Sequence, residues 1–393
     1  MHGVIHQRPA KAIPLPPDDP ALPELHRLLD LDLVAARLID ERGRVVERRA
    51  VRTERLVYRP ATACEALLSV DVDGVRRLVV GTVSDQPAAA GRRDPVLGAV
   101  VRWFPNDPML PALADIDRLG TVAAHLGMAI SPSESPEVLS YRPGERAVLG
   151  FGDAVVKVFR SPDEAQAALD AGEWARGVLG DLVSVPCAAD LRMCVTVQQR
   201  VTGRQLDHED VIAAAREGAQ VLRALHAGPA CPGPARTNAD VFAQCVVAAA
   251  LIRTILPELT DRVEHLVAHL RERTPEDVGH VAAHGDFNVS QIIRTPAGGI
   301  RVLDFDDCCM ASPSLDLASY IANAVSGREG DLAVALDARD ALLDAYGVAP
   351  ADLTWHVAVA VLRRAPSPFR LQKRPWPERL ARIVEAAEAV CAL

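Results

Sequence analysis

His284-Gly285-Asp286-Phe287-Asn288-Val289-Ser290-Gln291, then Ile292-Ile293, an Ala297-Gly298-Gly299 turn and Val302-Leu303-Asp304-Phe305-Asp306, is the stretch that decides how this chain is read. Two short apolar strands bracket a tight turn. Asp286 and Gln291 fall on a loop before one strand and Asp304 falls just after the other, so three oxygen-bearing side chains can converge on one point. Such a cluster suits a hard cation that bridges phosphate oxygens.

Upstream, Lys157 lies inside the apolar run Ala154-Val155-Val156-Lys157-Val158-Phe159. An ammonium held by a strand needs an anionic partner, because burial without one is costly. Only Lys11, Lys157 and Lys373 among the 43 basic residues are lysine, and lysine suits a site where a compact point charge must reach phosphate. Glu173 is the preferred ion-pair partner, with Glu164 the competitor, because Trp174, Val178 and Leu179 place its turn beside the apolar face of the following helix. Asp306 and Asp307 are the nearest acidic candidates for contact with a substrate. The string Arg363-Arg364, Arg370, Lys373-Arg374 and Arg379 reads as a solvated basic face, with acceptor or anion contact as its alternative.

Around these residues the pattern is strands first and helices second, which predicts an α+β protein with a small sheet-rich lobe and a larger helical lobe. Residues 1–130 read as an arm and cap subdomain with a small sheet, 131–202 as the sheet lobe, and 203–393 as the helical lobe. In the cap, strands are expected over 55–59, 65–72, 77–83 and 100–104, with Asp73-Gly74 as a hairpin turn, a loop over 86–95 and a helix over 110–126. In the sheet lobe they are expected over 137–141, 146–151, 154–159, 183–187 and 193–199. Ser161, Pro162 and Glu164 signal a helix start. Tyr58-Arg59-Pro60 and Tyr141-Arg142-Pro143 each end a strand, which raises the possibility of a duplicated unit. Its first copy would lack the lysine and serve as a structural cap.

The 393 residues are 49% hydrophobic and 24% charged, enough for packed cores and too much for global disorder. A net charge of −9 argues against a nucleic-acid partner or a basic membrane-binding surface. The apolar run over 241–256 is interrupted by Gln244 and closed by Arg253, and reads as a buried helix. Eight cysteines without a C-x-x-C pair, and no signal-peptide pattern, fit reduced thiols in a bacterial cytoplasm.

The pair of motifs resembles the H-G-D-x-x-x-x-N and D-F/W-G/D/E pair of the aminoglycoside phosphotransferase family, relatives of protein kinases that phosphorylate small molecules. Gly203-Arg204-Gln205-Leu206, Leu225-His226-Ala227 and Asp316-Leu317-Ala318 extend the likeness, and an extra N-terminal cap also occurs in maltokinase-like sugar kinases. The resemblance implies a bilobal protein-kinase-like fold and ATP-dependent phosphotransfer to a hydroxyl of a sugar, amino sugar or aminoglycoside. Choline, amino-alcohol or homoserine-type kinases and a regulatory pseudokinase are the alternatives. It further implies Asp286 as the catalytic base, Gln291 and Asp304 as Mg²⁺ ligands, and Lys157 braced by Glu173 on the ATP phosphates. Residues 142–146 would cover those phosphates, and the hinge including Gln199 and Val201 would meet adenine. His284 would brace the loop and Asp316 would accept its hydrogen bonds. Gln291 departs from the family's Asn. The implied partners are ATP and a small hydroxylated substrate, and a homodimer is left open.

Overall fold

Asp73 and Gly74 both adopt positive φ, 54° and 80°, and Val72 pairs with Val75 across them. This is the two-residue hairpin that an Asp-Gly pair favours. In the computed structural model of the chain, which describes residues 19–39, 43, 45–86, 91–130, 135–277, 279–327 and 330–392, the hairpin is the centre of a first sheet. Most of the expected N-terminal arm lies outside the described residues. Two short helices, α1 (Leu25–Leu29) and α2 (Leu31–Arg37), precede β1 (Val51–Arg59), β2 (Ala63–Val72), β3 (Val75–Ser84), β4 (Arg92–Asp94) and β5 (Ala99–Trp103). The strands are antiparallel in the order β1-β2-β3-β5-β4. β4 falls in the segment read as loop. Three residues are too short to show a period, and Asp94 fixes the turn by accepting from Val96 N and Leu97 N.

A 3-10 turn at Pro111–Asp115 leads into α3 (Ile116–His125). The second sheet comprises β6 (Glu137–Arg142), β7 (Arg146–Phe151), β8 (Ala154–Val158), β9 (Ala188–Asp190) and β10 (Val195–Gln199), with α4 (Pro162–Leu179) inserted after β8. Ser161 caps α4 as its sequence signals, accepting from Glu164 N at 3.2 Å. The strand expected over 183–187 is absent: Val183 makes a single bridge to Val302, and Pro186, with no N–H to give, interrupts any ladder.

The helical lobe follows: β11 (Arg204–Gln205), α5 (Ala215–His226), α6 (Asn238–Ile255), α7 (Thr260–Glu272), β12 (Val281–Ala283), β13 (Ile292–Arg294), β14 (Ile300–Val302), β15 (Cys309–Ala311), α8 (Ser314–Gly327), α9 (Leu332–Tyr346), α10 (Leu353–Arg364), α11 (Ser367–Arg370) and α12 (Trp376–Cys391). α6 is long and apolar enough to cross a membrane, yet it buries Val241, Phe242, Cys245, Ile252 and Ile255 as a core helix beside α10 and α7. All eight cysteines are free. Cys308 and Cys309 are buried, and burial pushes both thiols up to about 12, so they are packing residues.

The second sheet repeats the first, in the order β6-β7-β8-β10-β9. Each is preceded by one motif, Asp19-Pro20-Ala21-Leu22-Pro23-Glu24-Leu25 and Asp107-Pro108-Met109-Leu110-Pro111-Ala112-Leu113. The motif closes the same clamp twice. Asp19 Oδ2 accepts from Tyr58 OH and Ala61 N, both at 2.8 Å, and Asp107 Oδ2 accepts from Tyr141 OH at 2.8 Å and Gly144 N at 2.7 Å. Ala61 and Gly144 both take positive φ, 59° and 67°. The duplication is therefore structural, and Tyr-Arg-Pro is one part of it. Leu119 and Ala123 of α3 pack with Ala147, Leu149 and Phe151 of the second sheet, in a cluster that also takes in Leu67 and Val80 of the first. By register, Lys157 lies opposite Val148 on β7, and the matching pair in the first sheet is Thr82 opposite Glu65. The first sheet thus keeps the frame without the lysine. It packs on the helical lobe through β1 and α11, where Tyr58 and Phe369 meet edge-on at 6.3 Å.

Candidate active site

Asp286 stands on the loop after β12, and the loop is held from below. Asp316, at the start of α8 and fully buried, accepts from His284 N at 2.7 Å and Gly285 N at 2.9 Å, while His226 Nε2 lies 3.3 Å from the same carboxylate. Burial works against ionising Asp316, but these donors and the nearby histidines outweigh it and keep its carboxyl below the usual range. His284 Nε2 reaches back to Leu303 O at 2.9 Å, joining the loop to the residue before Asp304. Gly285 has φ 89°, and a Cβ there would sit 1.9 Å from Asp307 O. Only glycine lets the two motifs approach so closely. His284 and Asp316 have the bracing tasks expected of them.

Across the cleft, the sheet lobe supplies two cations. Lys157, 6% exposed on β8, donates to Asp304 Oδ1 at 2.8 Å and to both oxygens of Asp306 at 2.9 and 3.0 Å. Arg146, the first residue of β7, bonds Asp304 at 3.2 and 3.3 Å and also Asp306. Burial opposes charge on Asp304, yet Lys157 and Arg146 more than offset it and hold its carboxyl far below the usual range. Burial likewise opposes charge on Lys157, and Asp306 and Asp304 reverse the balance and raise it. Two cations and two anions therefore form one balanced cluster joining the lobes. The Asp107 clamp on Gly144 fixes the turn that carries Arg146.

The structure does not bring Glu173 to Lys157. The face of α4 that packs inward is Ala165, Ala168, Ala171, Gly172, Ala175 and Leu179, and Glu173 lies off that stripe, exposed. Its neighbour Trp174 turns to the helical lobe, donating to Pro229 O at 3.2 Å and meeting Phe305 edge-on. Glu164 is spent on Arg160. The partners of Lys157 are Asp304 and Asp306, the second of them a residue expected to contact substrate. Glu173→Ala is accordingly expected to leave melting temperature and nucleotide affinity unchanged within about two-fold. A ten-fold loss of affinity in a binding titration would return Glu173 to the site.

Gln291 closes the 3-10 turn after Asn288, and its carbonyl accepts from Leu303 N at 2.9 Å, which sets it beside Asp304. Its side-chain amide makes no hydrogen bond among the described residues and is free to ligate. Asn288 is buried and locks the turn, donating to Asp286 O at 2.9 Å. Gln199 ends β10, with Arg200 N bonded to Asp153 O; Gln199 O is taken by Ser184 Oγ at 3.0 Å, whereas the backbone of Val201 carries no such bond among the described residues. Asp307 is exposed at the rim. Two residues read as solvated are at the site instead: Arg364 Nη2 lies 3.4 Å and Arg363 Nη2 3.7 Å from Asp286 Oδ1.

A sheet lobe that offers cations to paired carboxylates of a helical lobe, with a further aspartate on the adjoining loop, is the arrangement of a two-lobed, protein-kinase-like phosphotransferase. The profile of the phosphotransferase enzyme family (APH) matches residues 145–356, over half of the chain, and the chain belongs to that family. No curated protein sequence gives a significant match. Among solved structures, similar folds include the choline kinase LicA from Streptococcus pneumoniae (15% identity, 69% of this chain and 98% of that one, TM-score 0.48). The macrolide 2'-phosphotransferase MphH from Brachybacterium faecium is another (19% identity, 69% and 98%, TM-score 0.45). An aminoglycoside phosphotransferase from Streptomyces rimosus is a third (18% identity, 68% and 97%, TM-score 0.44).

Proposed function

We propose that the protein transfers the γ-phosphoryl group of ATP to a hydroxyl of a small molecule. The observation that carries this reading is the Lys157–Arg146–Asp304–Asp306 cluster, which joins the lobes within reach of the Asp286 loop. Phosphoryl transfer asks a protein mainly to position groups and neutralise charge. Lys157 and Arg146 would exchange their carboxylate partners for the α- and β-phosphates. Asp304, with the free amide of Gln291, would hold Mg²⁺, an oxygen-seeking ion that neutralises charge on the phosphate oxygens. Both side chains offer the oxygen donors such an ion takes, so the residues fit it. Val201, at the junction of the lobes, would meet the adenine edge with its backbone.

Asp286 would accept the proton of the acceptor hydroxyl. The bond from the γ-phosphorus to its bridging oxygen breaks, a bond to the acceptor oxygen forms, and ADP leaves. Incubation with MgATP and a panel of hydroxylated compounds, read by ADP release and by the mass of the product, tests this. The expected result is one acceptor gaining a single phosphoryl group. Absence of MgATP binding would overturn the reading.

A further inference from the structure

Positive charge gathers around the Asp286 loop from a direction other than the Lys157 cluster, on residues that the phosphotransfer reading leaves without a task. Arg363 and Arg364 end α10. Arg364 Nη2 spans Ser319 Oγ at 3.0 Å and Asp286 Oδ1 at 3.4 Å, while Arg363 Nη1 is steadied by Gln244 Oε1 at 3.0 Å, leaving Nη2 to face the same aspartate. Arg236 adds a third guanidinium, donating to Gly285 O at 3.3 Å. Facing Arg363 stand Asp286 and the exposed Asp307, while Arg236 is also faced by Asp240. Burial, Arg364 and Arg236 together pull Arg363 down to about 10, although Asp286 and Asp307 oppose them. The side chains of Arg363 and Arg364 are 27% and 14% exposed, so neither is a freely solvated surface charge.

One loop carboxylate needs at most one of these partners. Guanidinium groups kept half-buried beside one another are costly unless an anion offsets their repulsion. Arginine's planar fork also matches a carboxylate or phosphate with two parallel hydrogen bonds, and Arg364 leaves Nε and Nη1 unengaged among the described residues.

We infer that the acceptor is itself an anion, a hydroxyl compound bearing a carboxylate or phosphate group that Arg363 and Arg364 grip while its hydroxyl faces Asp286. This rests on the phosphotransfer reading above. It also makes cationic acceptors unfavourable, by like charge at the entrance.

The test uses matched acceptors: glycerol, glycerate and glycerol 3-phosphate; glucose, glucuronate and glucose 6-phosphate; and choline and streptomycin as cations. Binding is titrated in the presence of MgADP, and turnover is followed with MgATP, for the wild type, Arg363→Met, Arg363→Lys and Arg364→Met. An anionic member should exceed its neutral counterpart by at least about ten-fold, with the carboxylate and phosphate arms showing which anion is held. Arg363→Met and Arg364→Met should remove that preference and Arg363→Lys restore part of it, at unchanged MgATP affinity, which also reports that each variant folds. Equal or better use of neutral or cationic members overturns the inference. So does a preference indifferent to all three substitutions, or a panel in which nothing binds. A wild type that fails to bind MgATP instead sinks the phosphotransfer reading on which it stands.

Discussion

Asp286→Asn is expected to lower phosphoryl transfer by about 10²- to 10⁴-fold while MgATP affinity and melting temperature stay close to wild type. The asparagine keeps the size of the side chain and can still reach Ser319 Oγ, but it cannot take a proton at the acceptor oxygen. Structure should tolerate the change because the Asp286 side chain is 39% exposed and its ion pairs with Arg363 and Arg364 are long, 3.7 and 3.4 Å. The change also leaves Arg363 and Arg364, 27% and 14% exposed, facing a neutral amide, so a loss of about 1 kcal/mol in stability accompanies it. The loop itself is held by Asp316, His284 and Gly285, none of which is touched. ADP release under saturating MgATP, with a thermal melt beside it, separates the two effects. Near-normal turnover would remove Asp286 from the chemistry.

The residues that were legible in the sequence share a physical trait: they sit close together in the chain or carry a type that is rare in it. Asp286, Gln291 and Asp304 fall on one strand-turn-strand unit, so short-range geometry alone collects them. Lys157 stands out as one of three lysines. Its partner was not legible, because a helix face built from alanines leaves little contrast between inward and outward positions, and Glu173 looked as close to the sheet as any residue on α4. Asp304 and Asp306 meet Lys157 across 147 and 149 residues of chain, and Asp304 takes a φ of 64°, a left-handed backbone that composition does not reveal. Nor could position in the chain place Arg363 and Arg364 beside Asp286, since that contact depends on α10 packing against α8. The repeat is different. Its Asp-Pro-x-Leu-Pro-x-Leu signal was present in the sequence, and pairing it with Tyr-Arg-Pro would have identified both clamps.

Asp304→Asn should have the broadest consequences, because one carboxylate serves both the cluster and the proposed metal. Turnover is expected to fall by at least about 10³-fold, since an amide offers the ion one neutral oxygen where a charged one stood. Stability should fall as well. Lys157 is nearly buried, and with Asp304 neutral, Lys157 and Arg146 share Asp306 alone, an imbalance that costs about 3 kcal/mol in a buried setting. The pH dependence gives the check that activity cannot. Asp304 ionises more readily folded than unfolded, so its contribution is fully present above the ordinary carboxylate pKa of about 4 and declines as pH falls below it. Lys157 is shifted the other way. Its contribution is full below about 10 and is lost as pH rises through the raised folded value. Melting curves of wild type and Asp304→Asn should therefore differ by a constant margin across neutral pH and converge on acidification below about 4. A margin that is absent at pH 7, or that persists unchanged into acid, would mean that Asp304 is not the anion on which the two lobes close.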